Sequence, residues 1–295
     1  KTLAGCGIWS ARAGVAPLQG RLSTVGGSSL RRPTRGASPR GGVVQRAARS
    51  GRVTTWPGLA TALTASPRID LDQQGNLTTR LGVTEDTEVS AVAADVLTAQ
   101  ATAPEAAIAA PSVPGASILA GTHDLASLDQ LPEVITALRG HLPEVAGEWD
   151  DVVIDTPPAL GLVTLAALAA ADVVVAAVAC ETEAYDQLDR LVEVIAQRIA
   201  PRMEPGQRVH WIVPTRYDAR RLLDRDVVDM LTQQHPGRVT APVREAVAAR
   251  DAYTSGMPVS VYAPGSPIAA DYAEALAPIV GTPEPVGTST DHATA

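Results

Sequence analysis

Phenylalanine is absent from this chain of 295 residues, aromatics amount to 3%, and the single lysine is residue 1. The first absence forces a core of Ala, Val, Leu and Ile, which suits helices packed tightly on a Val-rich sheet. The second makes every Lys/Arg-type charge after position 1 an arginine, a planar fork where lysine offers a compact point charge. Two cysteines, Cys6 and Cys180, give neither a disulfide framework nor zinc spacing, so a reducing cytoplasm is expected. No stretch approaches the ~20 consecutive apolar residues of a membrane-spanning helix. The first thirty residues also lack the apolar core of a signal peptide. A soluble protein with no membrane association is expected.

Acidic residues are missing from the first sixty positions, which hold ten basic side chains between Lys1 and Arg52. The total of −8 therefore leaves −18 for residues 61–295. Residues 1–57 mix Gly, Pro, Ser and Arg with no helical or strand period, and are expected to be a disordered leader. Two readings stand for it: a basic arm for DNA or anionic surfaces, or a stretch foreign to the fold. Residues 58–280 form the expected folded domain, and 281–295 a polar tail without structure.

Within 58–280 helical and strand-like runs alternate, the pattern of a mostly parallel twisted sheet with helices on both faces. Strands are expected at 68–72, 117–121, 151–158, 172–179, 208–214, near Val239 and at 258–263. Helices are expected at 58–66, 87–100, 125–138, 161–170, 185–199, 219–233 and 268–280, with Asp86 and Asp218 available as N-caps.

Two strand ends carry chemistry. In DLDQQGNLTT (70–79) Asp70 and Asp72 stand two apart, a spacing that points both carboxylates one way on a strand, and Gly75 lets the backbone turn away. In DVVIDTPPALG (151–161) a β-branched run delivers Asp155 to the carboxyl edge of a parallel sheet, where α/β proteins bind ligands. The two prolines behind it forbid continuation of the strand.

These strings resemble the ParA/MinD family of deviant P-loop ATPases, and the resemblance extends through TRYDAR (215–220) and GMPVSVYAPGSPIAADY (256–272). The departures are Gln73 and Ala177, where the family has Pro, and Ala166, where it has Asn. The resemblance implies a P-loop NTPase-like fold with ATP and Mg2+ as ligands. It places Asp70 and Asp155 near the magnesium, gives Asp72 the attacking water, and makes TPPALG a loop that senses the γ-phosphate. Pro242 and Val243 fall where the family lines its adenine pocket. Arg216, Arg220, Arg221, Arg225, Arg244 and Arg250 are candidates for non-specific DNA contact, or else ordinary solvated positions among acidic neighbours.

A phosphate loop itself is hard to find. SGRVTTWPGLATALTAS (50–66) aligns loosely with the family's loop and helix, with Thr54 or Thr55 near the magnesium ligand and Arg52 near a lysine's place. Its glycines are mostly gone, and Pro57 falls where a helix should already run. Only 14 positions separate Thr55 from Ile69, short for a βαβ unit of roughly 30 residues. Such a chain is expected to hold ATP poorly.

The implied function is that of a partitioning ATPase in plasmid or chromosome segregation: a cytoplasmic, nucleoid-associated homodimer that binds non-specific DNA with ATP and is released by a ParB-like partner. The alternatives are a nucleotide-incompetent scaffold of this fold, or another deviant P-loop enzyme of the MinD or cobyrinate amidase kind. The tail GTPEPVGTSTDHATA lacks the basic amphipathic helix that a MinD-like membrane cycle uses.

Overall fold

Six short strands and the helices between them account for the described part of the chain. The structure is a computed structural model that describes residues 67–142, 152–181 and 184–281. The expected leader, the helix at 58–66, Thr54, Thr55 and the tail beyond Gly281 lie outside those residues.

β1 (Pro67–Asp70) runs between β3 (Ser117–Leu119) and β4 (Val153–Asp155), parallel to both, with Ile69 opposite Leu119 and Asp70 opposite Asp155. β2 (Ala107–Ala109) adds an antiparallel edge to β3, giving the order β2-β3-β1-β4. β5 (Val174–Ala179) and β6 (Val209–Thr215) form a second, parallel pair. The expected strand near Val239 is a single parallel bridge to Ile212.

Side-chain alternation divides the core. Ile69, Leu119 and Ile154 face α2 (Ala93–Leu97), α4 (Leu125–Leu128), α5 (Val134–His141) and α6 (Leu162–Ala170) through Leu97, Leu125, Val134, Leu138 and Val163. Val174, Val178 and Ile212 continue that layer against α7 (Ala184–Val194) and α8 (Leu222–Gln234) through Leu188, Leu191, Val227 and Leu231. Val153, Val175 and Val213 point the other way, onto Ala252 of α9 (Val247–Thr254) and Ile268 and Ala275 of α11 (Pro267–Gly281). Ile118 meets Leu77 of α1 (Asn76–Arg80) on its own side of β3. The expected mostly parallel sheet covered on both faces is the architecture observed.

Several elements differ from expectation for local reasons. The helix expected at 87–100 shrinks to α2, because Val92 is extended and its N–H donates to the Asp95 carboxylate, while Ala99 at φ 56° ends the run. The helix expected at 125–138 splits into α4 and α5 around Pro132. Thr102 caps the short α3 (Ala103–Ala106): its hydroxyl accepts the Glu105 N–H at 3.4 Å, and the Glu105 carboxylate accepts the Thr102 N–H at 2.9 Å. Asp218 does not cap α8; Arg221 stands at that position with no side-chain cap, and Asp218 ties to Arg220 instead. The last turn of the helix expected at 185–199 widens to a π-turn over Ile195–Ile199. β6 passes through Pro214, whose carbonyl accepts the Val243 N–H at 2.8 Å, and ends one residue later. The strand expected at 258–263 is a helix, α10 (Val259–Tyr262): Pro258 has φ −61°, and its carbonyl accepts the N–H groups of Val261 and Tyr262.

Candidate functional site

The register of β1 and β4 decides the site. Asp70 and Asp155 are opposite one another on the face that also carries Arg68, Ile118 and Val153, and the Leu71 N–H donates to the Asp155 carbonyl at 2.8 Å. Asp70 is buried and Asp155 half-buried at the strand end, and loss of water around them raises both pKa values, that of Asp155 well above the usual range. The neighbouring Asp70 pushes Asp155 further up, while the Arg80 charge opposes the shift.

Asp70 is held by its surroundings. Its Oδ2 accepts the Thr78 N–H at 2.8 Å and the Thr78 hydroxyl at 2.7 Å, and its Oδ1 accepts the Asp72 N–H at 3.1 Å. Thr78 Oγ1 in turn accepts the Gly121 N–H at 2.9 Å, which fastens the loop after β3 to that after β1. The approach leaves no room for a side chain: a Cβ on Gly121 would stand 2.7 Å from the Asp70 Cγ. Gly75, at φ 60°, makes the turn beyond Asp72, and its N–H donates to the Asp72 carbonyl.

Asp72 sits past the strand end. It accepts the Gln74 N–H at 3.0 Å and faces the Asn76 amide at 3.4 Å. Asn76 accepts the Tyr253 hydroxyl at 2.9 Å, so α9 reaches this edge of the sheet. Arg80, at the end of α1, lies over the Tyr253 ring with 4.8 Å to its centroid. Its Nε is buried and has no acceptor. Arg80 stands in the string that follows β1 but carries no role the resemblance assigns, and Tyr253 lies outside the recognised strings, 177 residues from Asn76.

The donor set suits a hard cation. Among the described residues no three His, Cys, Asp or Glu side chains form a complete metal cage. Mg2+ does not need one, because it keeps several waters and uses one or two carboxylates together with substrate phosphates. Asp155, whose carboxyl accepts the Thr156 N–H, keeps acceptor capacity for this, while most of Asp70's already serves Asp72 and Thr78.

The loop behind Asp155 is secured separately. Asp129 accepts the Val163 N–H at 3.0 Å at the start of α6, and a Cβ on Gly161 would stand 2.4 Å from the Asp129 carboxylate. Only glycine at 161 admits this contact.

A cleft of about 540 Å³ opens beyond β6, lined by Pro242, Arg220, Arg221, Arg244 and Arg250 among others. Pro242 thus reaches a cavity, whereas Val243 is buried and bridges Pro214 and Tyr217 through its backbone. The candidate arginines are paired: Arg216 with Glu181 at 2.7 Å, Arg244 with Asp271 at 2.5 Å and Arg250 with Glu245 at 2.5 Å. Arg220 grips both oxygens of Asp218 and holds that carboxyl well below its ordinary range, and Arg221 approaches it at 3.8 Å. Arg216 stands outside the cleft lining and adopts φ 57°. Arg225 follows on α8 as an exposed residue.

Comparison with known proteins agrees with this geometry. An AAA domain family model matches residues 49–204, a span that includes Thr54 and Thr55. The chain is 31% identical over 242 residues to the chromosome-partitioning ATPase Soj of Thermus thermophilus, covering 80% of this chain and 90% of that protein. It is 29% identical over 242 residues to the chromosome partitioning protein ParA of Caulobacter vibrioides, covering 77% and 85%. The solved structure of apo McdA from Cyanothece shares the fold at a TM-score of 0.65 and 19% identity, covering 74% of this chain and 88% of McdA. With its paired carboxyl groups at the carboxyl edge of a parallel sheet, the chain belongs to the ParA/Soj-type family of P-loop ATPases.

Proposed function

We propose that this chain works as a partitioning ATPase which binds Mg2+ and ATP at the carboxyl edge of β1 and β4, dimerises on non-specific DNA, and hydrolyses ATP under stimulation by a ParB-like partner. The observation that carries the reading is the register pair Asp70–Asp155, two carboxyl groups brought opposite each other at the carboxyl edge of a parallel sheet, where loss of water raises both pKa values and favours a bound cation.

Asp155 would hold magnesium, directly or through water, and the ion would supply neutralisation of the phosphate oxygens. Asp70 positions the turn that carries Asp72, and Asp72 orients the attacking water, because phosphoryl transfer depends on positioning and electrostatics more than on covalent participation. Thr54 or Thr55 supplies the hydroxyl ligand, and Pro242 borders the adenine. In this reading Arg216, Arg220, Arg221, Arg244 and Arg250 exchange their surface acids for DNA phosphates. Solvent-screened ion pairs of this kind add little stability, so phosphate competes for the guanidinium at small cost.

The missing lysine favours a second reading, a ParA-fold scaffold without turnover. Titration of the full chain with Mg-ATP, paired with phosphate release, separates the two. The first reading expects weak saturable binding, with a Kd above about 100 μM, and slow hydrolysis that Asp72→Ala abolishes while binding persists. Unchanged hydrolysis in Asp72→Ala contradicts the role of Asp72, and affinity of a few micromolar contradicts the expected weakness.

A further inference from the structure

A polyphosphate needs fixed positive charge beside its β and γ oxygens, and this chain offers no lysine after position 1. Its arginines divide by surroundings. Arg220, Arg244 and Arg250 are tied to carboxylates at the cleft, and Arg216 to Glu181 outside it. Arg68 is buried within β1. Arg80 differs from all of these: it forms no ion pair among the described residues, its guanidinium is carried on the face of Tyr253, and its Nε–H is buried without an acceptor. A buried donor left open is costly, and most native donors avoid it. Arg80 ends the helix that starts at Asn76, whose amide faces Asp72 at 3.4 Å, so its charge is carried beside the carboxyl end of β1.

We propose that Arg80 is the phosphate-binding cation of this chain, its guanidinium taking the β and γ oxygens of a polyphosphate at the carboxyl edge of β1 and β4, with Tyr253 as its platform. The platform is itself fixed. The Tyr253 hydroxyl donates to Asn76 Oδ1, and Asn76 belongs to the helix that ends in Arg80, so one α1–α9 contact sets the position of both the ring and the helix that carries the guanidinium. A planar fork suits this task, because it meets two phosphate oxygens at once. This assignment deepens the nucleotide reading above and rests on it only for the adenine half of the ligand.

The test uses the full chain in calorimetric titrations with Mg-ATP and, separately, with magnesium tripolyphosphate. Arg80→Gln is expected to weaken both by at least about tenfold, with Arg80→Lys recovering part of the loss. Tyr253→Leu is expected to weaken both by about threefold or more, and Tyr253→Phe by less, since the ring remains. Circular dichroism checks each fold; should Arg80→Gln fail to fold, Tyr253→Leu decides. If the parent chain binds ATP and Arg80→Gln binds it equally well, the assignment is overturned and the nucleotide reading stands. If the parent binds tripolyphosphate through Arg80 but not ATP, the assignment stands and the nucleotide reading falls. A parent chain that binds neither overturns the assignment outright.

Discussion

In the role proposed for it, Asp155 costs the fold stability. Its side chain, half-buried opposite Asp70, loses water on folding, so the folded state holds its proton to higher pH than the unfolded chain does. Stability from this group is therefore full below the ordinary carboxylate pKa of 3.8 and is lost as pH rises through the folded value. Asp155→Asn removes the penalty, and it is expected to raise stability at pH 7.5 by ~1–3 kcal/mol in urea unfolding, while abolishing the response to Mg-ATP. A less stable Asp155→Asn contradicts the burial argument. His210 works in the opposite sense. Burial, helped by Arg208 and Arg238, lowers its pKa to about 4, and its Nδ1 accepts the Val174 N–H at 3.1 Å. The unfolded chain takes up the proton first, so stability is full above pH 6.5 and falls as pH drops toward 4. Partial exposure of the ring reduces the expected loss to ~1–2 kcal/mol, and His210→Asn should flatten the pH profile of unfolding in that window.

At the scale of elements, the two loops that meet under the site are joined by contacts too close for any side chain. Gly121→Ala drives a methyl group to within 2.7 Å of the Asp70 Cγ and 2.8 Å of the Asp70 and Asp72 carbonyls. Neither backbone can yield without breaking the Thr78 bridge, so a loss of ~2–4 kcal/mol is expected in chemical unfolding, with a larger effect than at Gly140, whose Cβ position meets nothing. Similar cost at both sites contradicts this account of the loop contact. The strand ends that carry Asp70 and Asp155 were legible in the sequence because a β-branched run cut off by carboxylate and proline has few alternatives. The segment at 258–263 was not: Val259 and Val261 alternate like a strand, but Pro258 starts a helical turn in which Val259 is buried and Val261 exposed. α9 escaped as well, for its run from Val247 to Thr254 buries only Ala252 and offers no periodic apolar stripe.

For the whole molecule, charge is divided between a basic first sixty residues and an acidic remainder of −18. The cleft arginines sit among acids, so their DNA binding is expected to be weak and steeply dependent on salt. Five phosphate contacts predict a loss of roughly 10²- to 10³-fold in affinity between 50 and 200 mM salt, measured by fluorescence anisotropy on duplexes of unrelated sequence. Replacing Arg220 and Arg250 with Ala should reduce the log–log slope by nearly 2, and a salt-insensitive signal contradicts phosphate contact. The sequence made the family and the catalytic edge readable, since both rest on contiguous strings. Pairing across 177 residues, as between Asn76 and Tyr253, appears only once the chain is folded.

The account turns on whether the Asp70–Asp155 edge holds a magnesium nucleotide. Calorimetric titration of Mg-ATP into the full chain and into Asp155→Asn measures this directly. Weak, saturable, magnesium-dependent binding that disappears in Asp155→Asn is the predicted result; no binding up to several millimolar ATP, or binding that Asp155→Asn leaves unchanged, contradicts it.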